Sequence, residues 1–121
     1  MIYRIAEQAD WHRAQREGVF ASADLAAEGF IHCSELHQVC ETVEKHYAGK
    51  TALVLLEIDD AVLGTALVRE NLTGSGVFPH VYAPIPLDAI VRRFEFDADA
   101  CQATGQGRMV ELLDRVDRNS G

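Results

Sequence analysis

Two short runs concentrate the side chains that could do chemistry. The first is EGFIHCS, residues 28–34, where His32 lies near the end of an apolar stretch and Ser34 follows two residues later. Side chains alternate along a strand, so Phe30 and His32 share one face, and Ile31 and Cys33 the other. A histidine at a strand exit, beside a helix N-terminus, suits a ribose hydroxyl or a phosphate oxygen. The plainer alternative is an imidazole bonded to a backbone carbonyl. The second run is FPHVYAP, residues 78–84. His80 and Tyr82 are two apart and face the same way in a strand. There an imidazole and a phenol can hydrogen-bond to a flat ligand and stack on it; the alternative is a packed tyrosine beside a histidine that caps an edge. Thr73, Gly74, Ser75 and Gly76 precede this run and have the composition of a flap.

Other groups complete the inventory. Glu57 and Glu70 stand late in apolar runs, where a carboxylate at a strand end can face a cleft and orient a hydroxyl. A solvent-facing strand position explains them equally. Arg4 and Arg69 lie within strand-like segments and are candidates for a phosphate contact, with Arg92 and Arg93 behind them. His37, Cys40 and Glu41 have a workable ligand spacing on one helix, but no second ligand pair matches them, so no metal site is expected. Cys33 neighbours His32, yet strand alternation separates the two, and there is no G-x-S-x-G elbow, C-x-x-C pair, Walker loop or G-x-G-x-x-G.

Elements must position these groups. Residues 2–5 read as a first strand, and Asp10 opens a helix carrying Trp11 and Ala14, stopped by Gly18. Phe20 follows in a loop. Ser22 caps a short turn that ends at Gly29. Residues 30–33 read as a strand. Ser34 then caps the clearest helix, in which Leu36, Val39, Cys40, Val43 and Tyr47 form one apolar stripe and Gly49 is the stop. TALVLLEI, residues 51–58, suggests a strand buried on both faces. Residues 66–69, 77–82 and 91–97 read as further strands. Pro79 lacks an amide donor, so its strand is expected at an edge or just after the proline. Residues 98–107 read as a loop, and Met109, Leu112, Leu113 and Val116 as a terminal amphipathic helix. This order favours an α+β fold, a mostly antiparallel sheet with flanking helices.

Composition bounds the function. The chain has 121 residues, 48% of them hydrophobic and 25% charged, which is the profile of one globular domain. We take its compact part as residues 1–97, with a C-terminal loop and helix over 98–121. Eleven Lys and Arg against 19 Asp and Glu give a net charge of −8. Extended nucleic acid and anionic membrane need a basic footprint and are disfavoured as partners. No run approaches the roughly 20 apolar residues of a membrane span, and the N-terminus lacks a secretory pattern. A cytoplasmic location is expected. Cys33, Cys40 and Cys101, odd in number, are then expected as reduced, buried thiols without a disulfide.

The motifs IYRI, EGFIHCS, LVLLEID and FPHVY followed by PLDAI, together with Trp11, carry a resemblance from residue 2 to about residue 96. The chain resembles the bacterial family catalogued as domain of unknown function 952, grouped with folds similar to ADP-ribosyltransferases and RNA 2′-phosphotransferases. The resemblance implies an ADP-ribosyltransferase-like split sheet and a cleft for NAD, ADP-ribose or a phosphorylated ribose. In those relatives a first-strand His or Arg and a second-strand His bind the ligand. Arg4 and His32 stand at the matching positions, while His80 and Tyr82 would line the same cleft. The expected site is therefore His32 and His80 as catalytic groups, with Arg4, Ser34 and Tyr82 binding ligand. The expected activity is that of a transferase, or else a non-catalytic binding module for a small ligand or a protein. Arg4 and the histidines would form a local basic spot on an acidic protein.

Overall fold

A computed structural model describes residues 1–104. In chain order the elements are β1 (Ile2–Ala6), α1 (Gln8–Glu17), β2 (Val19–Phe20), α2 (Ala23–Glu28) and β3 (Ile31–His32). A 3-10 turn (Leu36–Gln38) then runs into α3 (Val39–His46). After it come β4 (Leu53–Ile58), α4 (Asp60–Leu63), β5 (Leu67–Glu70), β6 (Phe78–Val81), β7 (Ile85–Pro86), β8 (Ile90–Phe96) and α5 (Asp99–Thr104). The fold is mixed α+β. Its strands form three antiparallel sheets, ordered β1-β4-β8, β2-β7 and β3-β6-β5.

The β-branched and aliphatic run of β4 becomes the centre of the first sheet because both of its faces find apolar partners. All six of its residues are buried. Val54, Leu56 and Ile58 join a core with Trp11 and Ala14 of α1, Phe20 and Val81. Leu53 and Leu55 join a second core with Val39 and Val43 of α3 and with Phe94 and Phe96. The period-two alternation of β8 places both phenylalanines on that side, as the sequence implies.

Several boundaries differ from expectation for local reasons. Helix α1 begins at Gln8 rather than Asp10, and Gly18 ends it in the left-handed region at φ 83°. Phe20 pairs with Ile85 in a two-residue strand instead of lying in a loop. Ser34 does not cap a helix; its backbone bridges to Tyr3, extending the edge of β1. The cap passes to Glu35, which forms a reciprocal capping box with Gln38. Helix α3 ends at His46, before Gly49. Part of the loop expected over residues 98–107 is α5. The terminal helix expected around Met109–Val116 lies outside the described residues.

Two corrections bear on the site. Strand β6, which contains Pro79, is the middle strand of its sheet rather than an edge. The Pro79 carbonyl accepts from the Cys33 amide at 3.0 Å, but proline has no N–H to return the bond. The ladder on that side therefore stops at the His32–His80 pair. The second correction concerns the thiols. Cys40 and Cys101 form a disulfide, with Cα atoms 5.2 Å apart, and only Cys33 is free. Cys40 lies in the apolar stripe of α3, and α5 packs on that helix and brings in Cys101. A separation of 61 residues leaves no local spacing signal.

Candidate functional site

The short pairing of β3 with β6 sets the centre of the site. His32 and His80 are cross-strand partners, with ring centroids 5.4 Å apart and planes at 80°. Phe30 stacks on the His80 ring at 4.2 Å and meets the His32 ring edge-on at 4.8 Å. Each imidazole is also held by a carboxylate. His32 Nε2 lies 2.7 Å from Glu28 Oε2, four residues back at the end of α2. His80 Nδ1 lies 2.9 Å from Glu70 Oε1, at the end of β5. The same Glu70 oxygen accepts from the Tyr82 hydroxyl. These two hydrogen bonds lower the Glu70 pKa, and the bond to Glu70 raises that of Tyr82.

A cleft of about 640 Å³ opens beside the histidines. Arg4, His32, Ser34 and His80 line it, with Lys45 and Tyr47 from the α3 side and Thr73 and Ser75 from the loop after β5. Asn71 shapes that loop by accepting from the amide of Gly74 at 2.9 Å. Gln38 ties its far end by donating to the Val77 carbonyl at 2.7 Å.

Four of the five expected site residues thus share one cleft. Tyr82 does not line it; the phenol stands outside, tied to Glu70. Ser34 is buried, and its hydroxyl is 3.3 Å from that of Thr42. Arg4 is already engaged, since Nη1 donates to Asp24 Oδ2 at 2.7 Å and to the His32 carbonyl at 2.9 Å. Burial raises the Asp24 pKa, but Arg4, the Ser22 hydroxyl and the His32 amide outweigh it and hold the carboxyl below its ordinary value. Asp10, Asp24, Glu28 and Glu41 line the cleft as well, so the site is not the basic spot expected from Arg4 and the histidines alone. Lys45 is the cleft cation that makes no ion pair among the described residues.

Of the other candidates, Glu70 bonds His80 from outside the cleft lining, and Glu57 contacts none of the site residues. Glu57 is buried in β4, accepting from the Tyr3 hydroxyl at 2.8 Å and from Arg92 at 2.7 and 2.8 Å. Arg69 bonds Glu35 and Asp60 on the surface, and Arg93 lies over the Trp11 ring. Burial pushes the Cys33 thiol up to about 12, which makes it a poor nucleophile. Cys40 is committed to its disulfide, and no cluster of three or more metal-ligating side chains occurs among the described residues. The sequence reading missed Asp24 and Glu28. Glu28 stands four residues before His32, a visible spacing, but only the Gly29 turn between them decides that the two side chains meet.

The family model described as "Protein of unknown function (DUF952)" matches residues 5–93, most of the chain. The chain belongs to this family. Protein CC0527 from Caulobacter crescentus is a similar solved structure at 38% identity. Its crystal structure superposes with a TM-score of 0.74, covering 79% of this chain and 85% of that one. Its solution NMR structure gives a TM-score of 0.71 at 38% identity, covering 79% and 84%. No curated protein matches. The DUF952 match includes Arg4's neighbour Ile5, both histidines and Glu70, but ends before Cys101. No helix among the described residues is long and apolar enough to cross a membrane.

Proposed function

We propose that this DUF952 protein binds a ribose-containing ligand of the NAD, ADP-ribose or ribose-phosphate class in the cleft and acts on it as a transferase. His80 is the proton-transfer group and His32 the ribose contact. Arg4 braces Asp24 and the His32 backbone from below. Lys45, whose charge is not matched by an ion pair among the described residues, meets the phosphate. The observation that carries the reading is the pair of carboxylate-held imidazoles at one cleft wall. Group transfer needs a base whose ring is fixed and whose proton has a defined place, and a carboxylate behind an imidazole supplies both.

A non-catalytic binding module is the second reading. The removal of Tyr82 from the cleft favours it, because the ring expected to stack on a ligand is missing there. NMR titration with NAD, ADP-ribose and ribose 5-phosphate tests both. Shifts at His32, His80 and Thr73, lost in His32→Ala, are expected. No perturbation by any of the three would sink the ribose reading. Saturable binding with every ligand recovered unchanged would select the binding module.

A further inference from the structure

We infer that the Cys40–Cys101 bridge is a reversible thiol–disulfide switch acting on the cleft wall at the end of α3. Oxidised, it holds that wall in place; reduced, it releases it. The inference goes beyond the ribose reading and holds whatever ligand the cleft takes.

Helix α3 packs Val39, Cys40 and Val43 into the second core, while Thr42, Lys45 and His46 line the cleft, with Tyr47 just after them. A helix of 8 residues cannot hold itself and depends on packing from outside. The sheet core serves its first half, but residues 44–46 have no buried side chain. Residues 97–101 strap this end down with two anchors. In the first, the Ala98 amide donates to the Lys50 carbonyl at 2.9 Å, and Asp97 Oδ1 accepts from the Ala52 amide at 2.9 Å. These bonds clasp the turn after α3, where Ala52 stands in the left-handed region at φ 56°, a conformation that persists only when its surroundings hold it. The second anchor is the bridge from Cys101 back to Cys40. Lys45, His46 and Tyr47 lie between the two. Among the α5 residues with described side chains only Cys101 is buried, so the bridge is what pins α5 to α3. Exchange enters at Cys40, which is 7% exposed against 1% for Cys101. A thiolate of a small dithiol attacks Cys40 Sγ, breaking the S–S bond and expelling Cys101 as a thiolate that takes a proton from water. The dithiol's second thiolate then attacks the reductant's sulfur in the mixed disulfide. Cys40 leaves and is protonated in turn, and the reductant ends as a cyclic disulfide. Two electrons pass from reductant to bridge, and a small disulfide reverses the sequence. Cys33 takes no part, because it is buried in the other core.

NMR relaxation on the full chain tests this, first in oxidised glutathione and then in dithiothreitol. Thiol counts in denaturant should give one free thiol in the first buffer and three in the second. Amide order parameters at Lys45, His46 and Tyr47 should stand near the rigid value of about 0.85 when oxidised and fall below about 0.6 when reduced, with β4 rigid in both states. Returning the protein to oxidised glutathione should restore them, and Cys101→Ser should show the reduced pattern in both buffers. More than one free thiol in oxidised glutathione would overturn the inference. So would reduction that brings neither lower order parameters nor new relaxation dispersion at those three residues. Loss of order in β4 as well would overturn it too, since the bridge would then support the whole fold rather than the cleft wall. Should Cys101→Ser fail to fold, the two states of the wild-type chain still decide the matter. None of these readouts uses a ligand, so they stand or fall separately from the ribose reading.

Discussion

Glu57 and Glu70 are both strand carboxylates, and the residues around them give them different uses. Burial raises the Glu57 pKa, but hydrogen bonds from Arg92 and Tyr3 outweigh it, and the group stays ionised inside the protein. Arg92→Ala would leave that charge buried and unpaired, so we expect a loss of about 3 kcal/mol in urea unfolding, near the lower end for breaking a buried pair. A loss under about 1 kcal/mol would mean that water reaches Glu57 and replaces the guanidinium. Glu70 instead accepts from His80 and Tyr82, and its hydrogen bonds set the direction of the His80 ring beside the cleft. Nothing in LVLLEID or LVRE distinguishes these roles. Both carboxylates end apolar runs, and the distinction comes from Arg92 and His80, which reach them from other strands.

At the scale of elements, the disulfide ties α5 to α3, the helix that supplies Lys45 and His46 to the cleft. It closes a long loop, and cross-linking one of this length removes unfolded-state entropy worth about 4 kcal/mol in the chain-entropy model. Denaturant unfolding with and without reductant should therefore differ by several kcal/mol. Cys40→Ser should match the reduced protein and become insensitive to reductant. Equal midpoints with and without reductant would show that the bridge does not stabilise the fold. Cys101 lies beyond the residues matched by the family model, and Cys40 lies within them. Helices and strands with a sustained pattern were legible in the sequence: β1, α1, β4 and β8 come close to their expected positions. The two-residue strands β2 and β7 were missed because they are too short to carry a period; β3 was read as a strand over residues 30–33, but its partner was not identified. Their pairing is decided by partners more than forty residues away.

For the whole molecule, stability should form a plateau with an acid limb and an alkaline limb. Asp24 and Glu57 have folded pKa values below those of free carboxyls. The unfolded chain therefore binds more protons as pH falls, and their contribution, present above about pH 4, is lost as pH drops through the folded values. Tyr3 behaves in the opposite sense. Burial, followed by its bond to Glu57, raises its pKa, so its contribution is complete below about pH 10 and is lost above it. Thermal melts across pH should show both limbs, and Glu57→Gln should make both shallower. An acid limb unchanged in that variant would place the titrating carboxylates elsewhere.

The sequence alone determined the mixed α+β class, the strand buried on both faces, the family, and the two runs that carry the histidines, because each of these is written in local residue type and spacing. The tertiary structure decided which charges face which. Arg4 went to Asp24, Glu70 to His80 and Tyr82, Glu57 to Arg92, and Cys40 to Cys101. Such pairings join residues far apart in the chain, and their strength depends on distance and desolvation, neither of which exists until the strands are in register and the core has closed.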